Sequence, residues 1–168
     1  MRAGQTGKKM QATSEDGAVF RPIGRLRTPW AATGACPRNG RQPDPRPVCR
    51  AEVFEAFAPC LQDLAGFSHL ILLYWLDQAR APDLVFTPPF DGSPRGVFAT
   101  RAPWRPNPIG LSVVALDGIE GSTLLVRNLD CVDGTPLLDI KPYLRTTDAE
   151  PAASLGWLAP HAGRRAAG

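Results

Sequence analysis

The sequence predicts a mainly β protein: a single-domain, closed antiparallel β-barrel of about six to seven strands with one short helix. Three observations lead there. At least six apolar runs of strand length follow one another at short spacing, Gly and Pro turns join them, and a single segment has helical character. Neither GxGxxG nor GxxxxGKS/T occurs, so no dinucleotide-binding or P-loop sheet is signalled. A chain of 168 residues is long enough to bury one real core, and no run reaches the ~18 apolar residues of a membrane helix.

In chain order, residues 1–17 lack hydrophobic periodicity and are expected to form a disordered tail. FRPIGRLRT, 20–28, alternates imperfectly between apolar and basic positions, as a first strand with one wet face would, and Pro29 ends it. Residues 30–47 hold Pro37, Pro43, Pro45 and Pro47 with Gly34 and Gly40 and carry no strand or helix pattern. A connection this long is disordered or functional, and Arg38, Arg41 and Arg46 favour function. CRAEVFEAF, 49–57, resumes strand character; Pro59 then opens a short helix to Leu64 that Gly66 ends, placed as a plug or lid of the barrel. FSHLILLYWLD, 67–77, is apolar at nearly every position and belongs at the centre of the sheet. After a second proline-rich loop at 82–94, GVFAT (96–100), LSVVALDGI (111–119) and STLLVRNLD (122–130) predict three further strands, the last two joined by a hairpin at Glu120-Gly121. DGTPLLDIKPYL, 133–144, gives a turn at Asp133-Gly134 and a short strand whose polar members are Asp139 and Lys141. The expected organisation is a tail at 1–17, a barrel at 18–148 and a short extension at 149–168.

The formal charge is +3, from 19 Lys and Arg against 16 Asp and Glu. Arg2, Lys8, Lys9, Arg164 and Arg165 lie in the terminal stretches, so for the folded body the distribution matters more than the sum. Residues 21–50 carry seven arginines against one acid, Asp44, and Arg95, Arg101 and Arg105 add to that local basic surface. Cys36, Cys49, Cys60 and Cys131 show no CxxC pairing and no neighbouring histidine, which predicts reduced, mostly buried thiols and supports no metal site. With His69 and His161 as the only histidines, a histidine-centred cluster or a serine-type triad has no support either. His69, inside an apolar strand, reads first as a satisfied core histidine. No apolar segment follows the N-terminal charges, so a secretory signal is not indicated and the expected location is cytoplasmic.

RGVFATRAPWRPNPIGL, 95–111, packs three arginines, three prolines and a tryptophan into one connection. Pro103, Pro106 and Pro108 each fix φ near ~−65° and drive Ala102, Arg105 and Asn107 toward extended geometry. From the residues alone two readings stand: a stiff turn between strands, or a rigid binding surface.

GVFATRAPWRPNPIGLS at 96–112, DGTPLLDIKPYL at 133–144, and the shorter PIG at 22–24 and CPRN at 36–39 together resemble the TsaA-like family, also called TrmO or VirR, over about residues 20–148. The resemblance implies a small β-barrel, usually a homodimer, that uses S-adenosyl-L-methionine to methylate N6 of the threonylcarbamoylated adenosine just 3′ of the anticodon. Its implied partner is the tRNA anticodon loop; the residues themselves point to no metal and no membrane.

Residue by residue, the resemblance assigns cofactor contacts to Pro37, Arg38 and Asn39, to Asp77 and Gln78, to Arg101 and Leu111, and to Arg127, Asn128, Leu129 and Asp130. Asn39 departs from the family's Gln and Asp77 from its His; a carboxylate at 77 still suits a sulfonium, since a nearby anion stabilises a cation. An N6 already carrying a carbamoyl group is a poor nucleophile, so a base would help, and Asp139 is the candidate, with Lys141 and Tyr143 supplying polarity around it. The other reading of Asp139 is a group that holds Lys141 or a backbone turn. Trp104, Arg105 and Asn107 are the candidates for the acceptor nucleotide, because anticodon loops present splayed bases and phosphates to aromatic and cationic side chains. For Trp104 the other reading is a hydrophobic plug, and for Asn107 a turn cap. Two further functions stay open: a non-catalytic barrel that holds S-adenosyl-L-methionine or RNA, and a methyltransferase with another substrate.

Overall fold

The computed structural model describes residues 19–166; the expected tail at 1–17 lies outside them. Eight strands are present among the described residues: β1 Gly24–Arg27, β2 Cys49–Val53, β3 His69–Trp75, β4 Val85–Phe86, β5 Arg95–Gly96, β6 Ile109–Glu120, β7 Thr123–Arg127 and β8 Pro136–Pro142. Six of them close into an antiparallel barrel in the order β1-β2-β7-β6-β3-β8, while β4 and β5 form a separate two-stranded ribbon.

β3 pairs with β6 on one side and β8 on the other. After His69 its residues are all aliphatic or aromatic, yet burial alternates: Leu70, Leu72 and Tyr74 point into the barrel and His69, Ile71, Leu73 and Trp75 lie on the outer wall. Successive side chains of a strand must face opposite ways, so an all-apolar strand in a single-walled barrel leaves half its side chains outside. Inside, Leu70 and Leu72 join Leu26, Ala51, Val114, Leu124, Val126 and Leu137, all fully buried.

Strand directions fix where the loops go. The C-terminal ends of β1, β3 and β7 and the N-terminal ends of β2, β6 and β8 meet at one mouth of the barrel. The connections 28–48, 76–108 and 128–135 therefore all leave from that mouth. The opposite end carries the 54–68 connection and the tight hairpin at 121–122, where Gly121 has a φ of 58°.

Two expected elements differ. The helix expected from Pro59 to Leu64 is instead a pair of 3-10 segments, Glu55–Leu61 and Leu64–Gly66, and the one α-helix among the described residues is α1, Arg145–Asp148. Pro59 sits inside the first segment, where its missing N–H cannot continue an α-helix, and Asp63 at φ 64° breaks the chain direction between the two. Phe57, Leu61 and Leu64 still pack against the core from that end, as a plug would. GVFAT is not a strand: beyond β5 it coils into a 3-10 turn, Val97–Ala99, because Val97 N–H donates to Leu84 O and the Thr100 hydroxyl closes on Val97 O at 2.8 Å. The C-terminal 3-10 segment Gly156–Ala166 then folds back onto this region through Trp157 and His161.

Candidate functional site

The 28–48 loop is seated against the end of β7 by close backbone approach. A Cβ at Gly40 would stand 2.0 Å from Asn128 O, so only glycine fits there. Asn128 is itself buried with φ 76°, a left-handed conformation that Asn tolerates better than most residues. Its Oδ1 accepts from Arg46 Nη1 at 3.1 Å, and Arg127 Nη1 donates to Arg46 O at 2.6 Å while its Nε pairs with Asp117 at 2.6 Å. Pro37, Arg38 and Asn39 are thereby brought beside Arg127–Asp130; Arg38 and Asn39 stay exposed.

Just inside the mouth lies a polar cluster. Tyr74 Oη donates to Asp130 Oδ1 at 3.1 Å and shares a second hydrogen bond with Ser112 Oγ at 2.8 Å, and the Gly40 N–H also reaches the Asp130 carboxylate. Burial pushes the Asp130 carboxyl above its ordinary range, while the Tyr74 and Ser112 hydroxyls and the Gly40 N–H oppose that rise. Burial, reinforced by Asp130, also pushes the Tyr74 phenol up, so it remains a donor. The space beneath the Tyr74 ring exists because residue 110 is glycine: a Cβ there would lie 2.1 Å from Cε2.

Outside, the seated loop overhangs the barrel wall and borders an open cleft of about 520 Å³ lined by Arg41, Asp44, Pro45, Arg46, His69, Ala115, Arg127 and Asn128. Cross-strand pairing extends this surface in rows. His69, Ala115 and Arg127 form one row, and Leu111, Leu73 and Asp139 another. Residues paired across strands share a face. Leu111, 49% exposed, and Asp139 thus stand on the same outer wall, two strand spacings or roughly 10 Å apart.

Other predicted residues are placed as follows. Asp139 Oδ2 is 2.7 Å from Lys141 Nζ, and its Oδ1 accepts the Ile140 N–H at 2.9 Å, so both oxygens have partners. Tyr143 lies farther along, its ring edge-on to His69 at 6.4 Å. Asp77 and Gln78 are exposed at the mouth where β3 ends, Asp77 near Arg25. Arg101 is exposed within the long connection 76–108. Trp104 is half-buried, with the Arg80 guanidinium 3.9 Å from its ring centre and Phe86 edge-on at 5.5 Å. Arg105 turns inward and donates through Nη1 to Val97 O, Thr100 O and Ala102 O. Asn107 alone of the three acceptor candidates is exposed.

The profile of the tRNA-methyltransferase O N-terminal domain family matches residues 25–149. The chain belongs to that family. A protein of Archaeoglobus fulgidus named as an S-adenosyl-L-methionine-binding protein is 42% identical over 125 residues, which cover 74% of this chain and 88% of that protein. The tRNA (adenine(37)-N6)-methyltransferase of Mus musculus is 34% identical over 134 residues, 76% of this chain but 31% of its own length. Among solved structures, TrmO from Pseudomonas aeruginosa superposes with a TM-score of 0.69 at 38% identity, covering 83% of this chain and 61% of that one. The chain thus spans well under two thirds of several relatives it matches, another being a second A. fulgidus protein of which it covers 37%. The family profile contains the seated loop, the polar cluster and the outer wall; the segment Gly156–Ala166 lies beyond it.

Sequence reasoning missed the structural roles of Gly40, Tyr74 and Ser112. A tyrosine and a serine inside apolar strands carry no local signal of a shared partner, since only the barrel register brings positions 74, 112 and 130 together.

Proposed function

We propose that this chain is an S-adenosyl-L-methionine-dependent tRNA methyltransferase acting on N6 of the threonylcarbamoylated adenosine beside the anticodon. The observation that carries the reading is the glycine-seated loop, which builds an arginine-lined cleft against Arg127 and Asn128, two of the residues that the family resemblance ties to the cofactor. Its volume, about 520 Å³, falls within the ~300–1,000 Å³ of small-molecule sites. The donor set suits the ligand: guanidinium groups of Arg41 and Arg46 for a carboxylate, and the Asn128 amide and loop backbone for an adenine edge. When bound, S-adenosyl-L-methionine supplies a methyl group made electrophilic by its sulfonium. The protein's task is to align donor and acceptor and keep water out, which a loop locked at Gly40 and Asn128 serves by rigidity. Asp139, on the outer wall with Leu111, is the group we assign to take the acceptor's N6 proton, with Lys141 holding the carboxylate in place.

Homologues named tRNA (adenine(37)-N6)-methyltransferases support its coarser part, N6 methylation of a tRNA adenine. Among the described residues no helix is long and apolar enough to cross a membrane and no His/Cys/Asp/Glu group could hold a metal; a cytoplasmic location and a metal-independent reaction are part of the proposal. A homodimer belongs to the same proposal, the outer wall with Ile109 and Leu111 being its apolar surface. A second reading, a barrel that binds the cofactor without transferring its methyl group, is favoured by relatives named for binding alone. Incubation with labelled S-adenosyl-L-methionine and total tRNA from a strain lacking the gene, followed by nucleoside mass spectrometry, separates them. Methylated threonylcarbamoyladenosine is the expected product; binding without any methylated nucleoside would establish the second reading.

A further inference from the structure

Single apolar side chains on a protein surface are ordinary and need no explanation. Phe98 differs in how it is held. It is 79% exposed, the most exposed large apolar side chain among the described residues, yet its backbone lies in a tightly bonded turn. Val97, immediately before it, is buried, and its N–H donates to Leu84 O at 2.9 Å. Arg105 Nη1 grips Val97 O at 3.1 Å and Thr100 O at 2.8 Å, and the Thr100 hydroxyl also binds Val97 O. From the other side the Trp157 indole N–H donates to Ala99 O at 2.8 Å. Trp157 is itself fixed, stacked on Phe90 at 6.0 Å and covered by Arg95 at 4.8 Å.

This investment keeps one aromatic ring standing in solvent at a set position. The Arg105 guanidinium lies 5.8 Å from the ring centre, and exposed Arg101 follows three residues on. A rigid exposed ring beside cations matches what an unpaired nucleobase needs: a face to stack on and a positive charge for its phosphate. Trp104, the aromatic that the sequence offered for this purpose, is already covered by Arg80 and Phe86.

We propose that Phe98 is a stacking platform for an unpaired base of the RNA acceptor, presented by the Arg105–Trp157 clamp. This rests on the reading of the substrate as RNA. The test is titration of the full-length protein with a short unstructured RNA carrying 2-aminopurine, whose fluorescence is quenched on stacking, alongside calorimetry with S-adenosyl-L-methionine. Phe98→Ala is expected to weaken RNA binding by roughly 5- to 150-fold and to abolish quenching, and Phe98→Trp to restore both. Cofactor affinity should stay unchanged in each variant. Equal RNA affinity in wild type and Phe98→Ala, or no binding by the wild type, overturns the proposal. So does light scattering in which Phe98→Ala splits a dimer while RNA binding is kept, since the ring would then be covered by a second copy. Failure of the wild type to methylate tRNA would remove the functional reading, while the titration still decides the role of Phe98.

Discussion

Gly40→Ala probes the seated loop with the least change in chemistry. The added Cβ would stand 2.0, 2.2 and 2.9 Å from Asn128 O, C and Cα, all backbone atoms of a buried residue. Ordinary contact begins at 3.4 Å, so the loop must retreat by 3.4 − 2.0, or about 1.4 Å. That retreat breaks the Gly40 N–H bond to Asp130 and stretches the 3.1 Å contact between Arg46 and Asn128. A hydrogen bond to a charged group is worth ~1.5–3 kcal/mol, which corresponds to roughly 10- to 150-fold in the population of docked loop. Isothermal titration with S-adenosylhomocysteine should show Kd rising by that factor. Gly34→Ala is the control, because its Cβ meets nothing within 4 Å in the same loop. A Gly40→Ala variant that binds as tightly as the Gly34→Ala control would refute the idea that loop seating builds the site.

Asp130→Asn tests the buried carboxylate through pH. Burial raises its folded pKa above the unfolded value of ~3.9, so its contribution is fully favourable below that pH and is lost as pH rises through the folded pKa. The variant should match or exceed wild-type Tm at neutral pH, with the difference vanishing toward pH 4; a Tm several degrees lower at neutral pH would contradict this. Asp139→Asn is expected to lower methyl-transfer kcat by ~10²-fold or more with cofactor Kd unchanged, and full activity would remove Asp139 as the base. Burial pushes the Cys49 and Cys131 thiols up to about 11 and about 12, so in the native protein a thiol reagent at pH 8 should label exposed Cys60 rapidly and leave those two intact until denaturant is added.

How much was legible in the sequence follows from how local each signal is. The strands at 69–75, 109–120, 123–127 and 136–142 were readable because alternation or continuous apolar character acts over a few residues. The 3-10 turn Val97–Ala99 was not, because GVFAT has strand composition and its coiling is imposed by Leu84, Arg105 and Trp157 from distant parts of the chain. The arginines of the 28–48 loop suggested more than a spacer, but the residue that seats it, Gly40, looks like any loop glycine until Asn128 is placed 2.0 Å from its would-be Cβ. Arg105 and Trp104 were read by side-chain type as RNA contacts. The structure gives both partners within the loop: Arg105 Nη1 donates to three carbonyls while its guanidinium also faces the Phe98 ring, and Trp104 is covered by Arg80 and Phe86.

The central claim, that the seated loop and the β7 end hold the methyl donor, is tested most directly by a crystal structure of the protein with S-adenosylhomocysteine. Density for the ligand in the cleft between Arg46, Arg127 and Asn128, touching the backbone of 37–40, is the predicted result. Ligand bound elsewhere on the barrel, with that cleft filled only by solvent at saturating concentration, would contradict it.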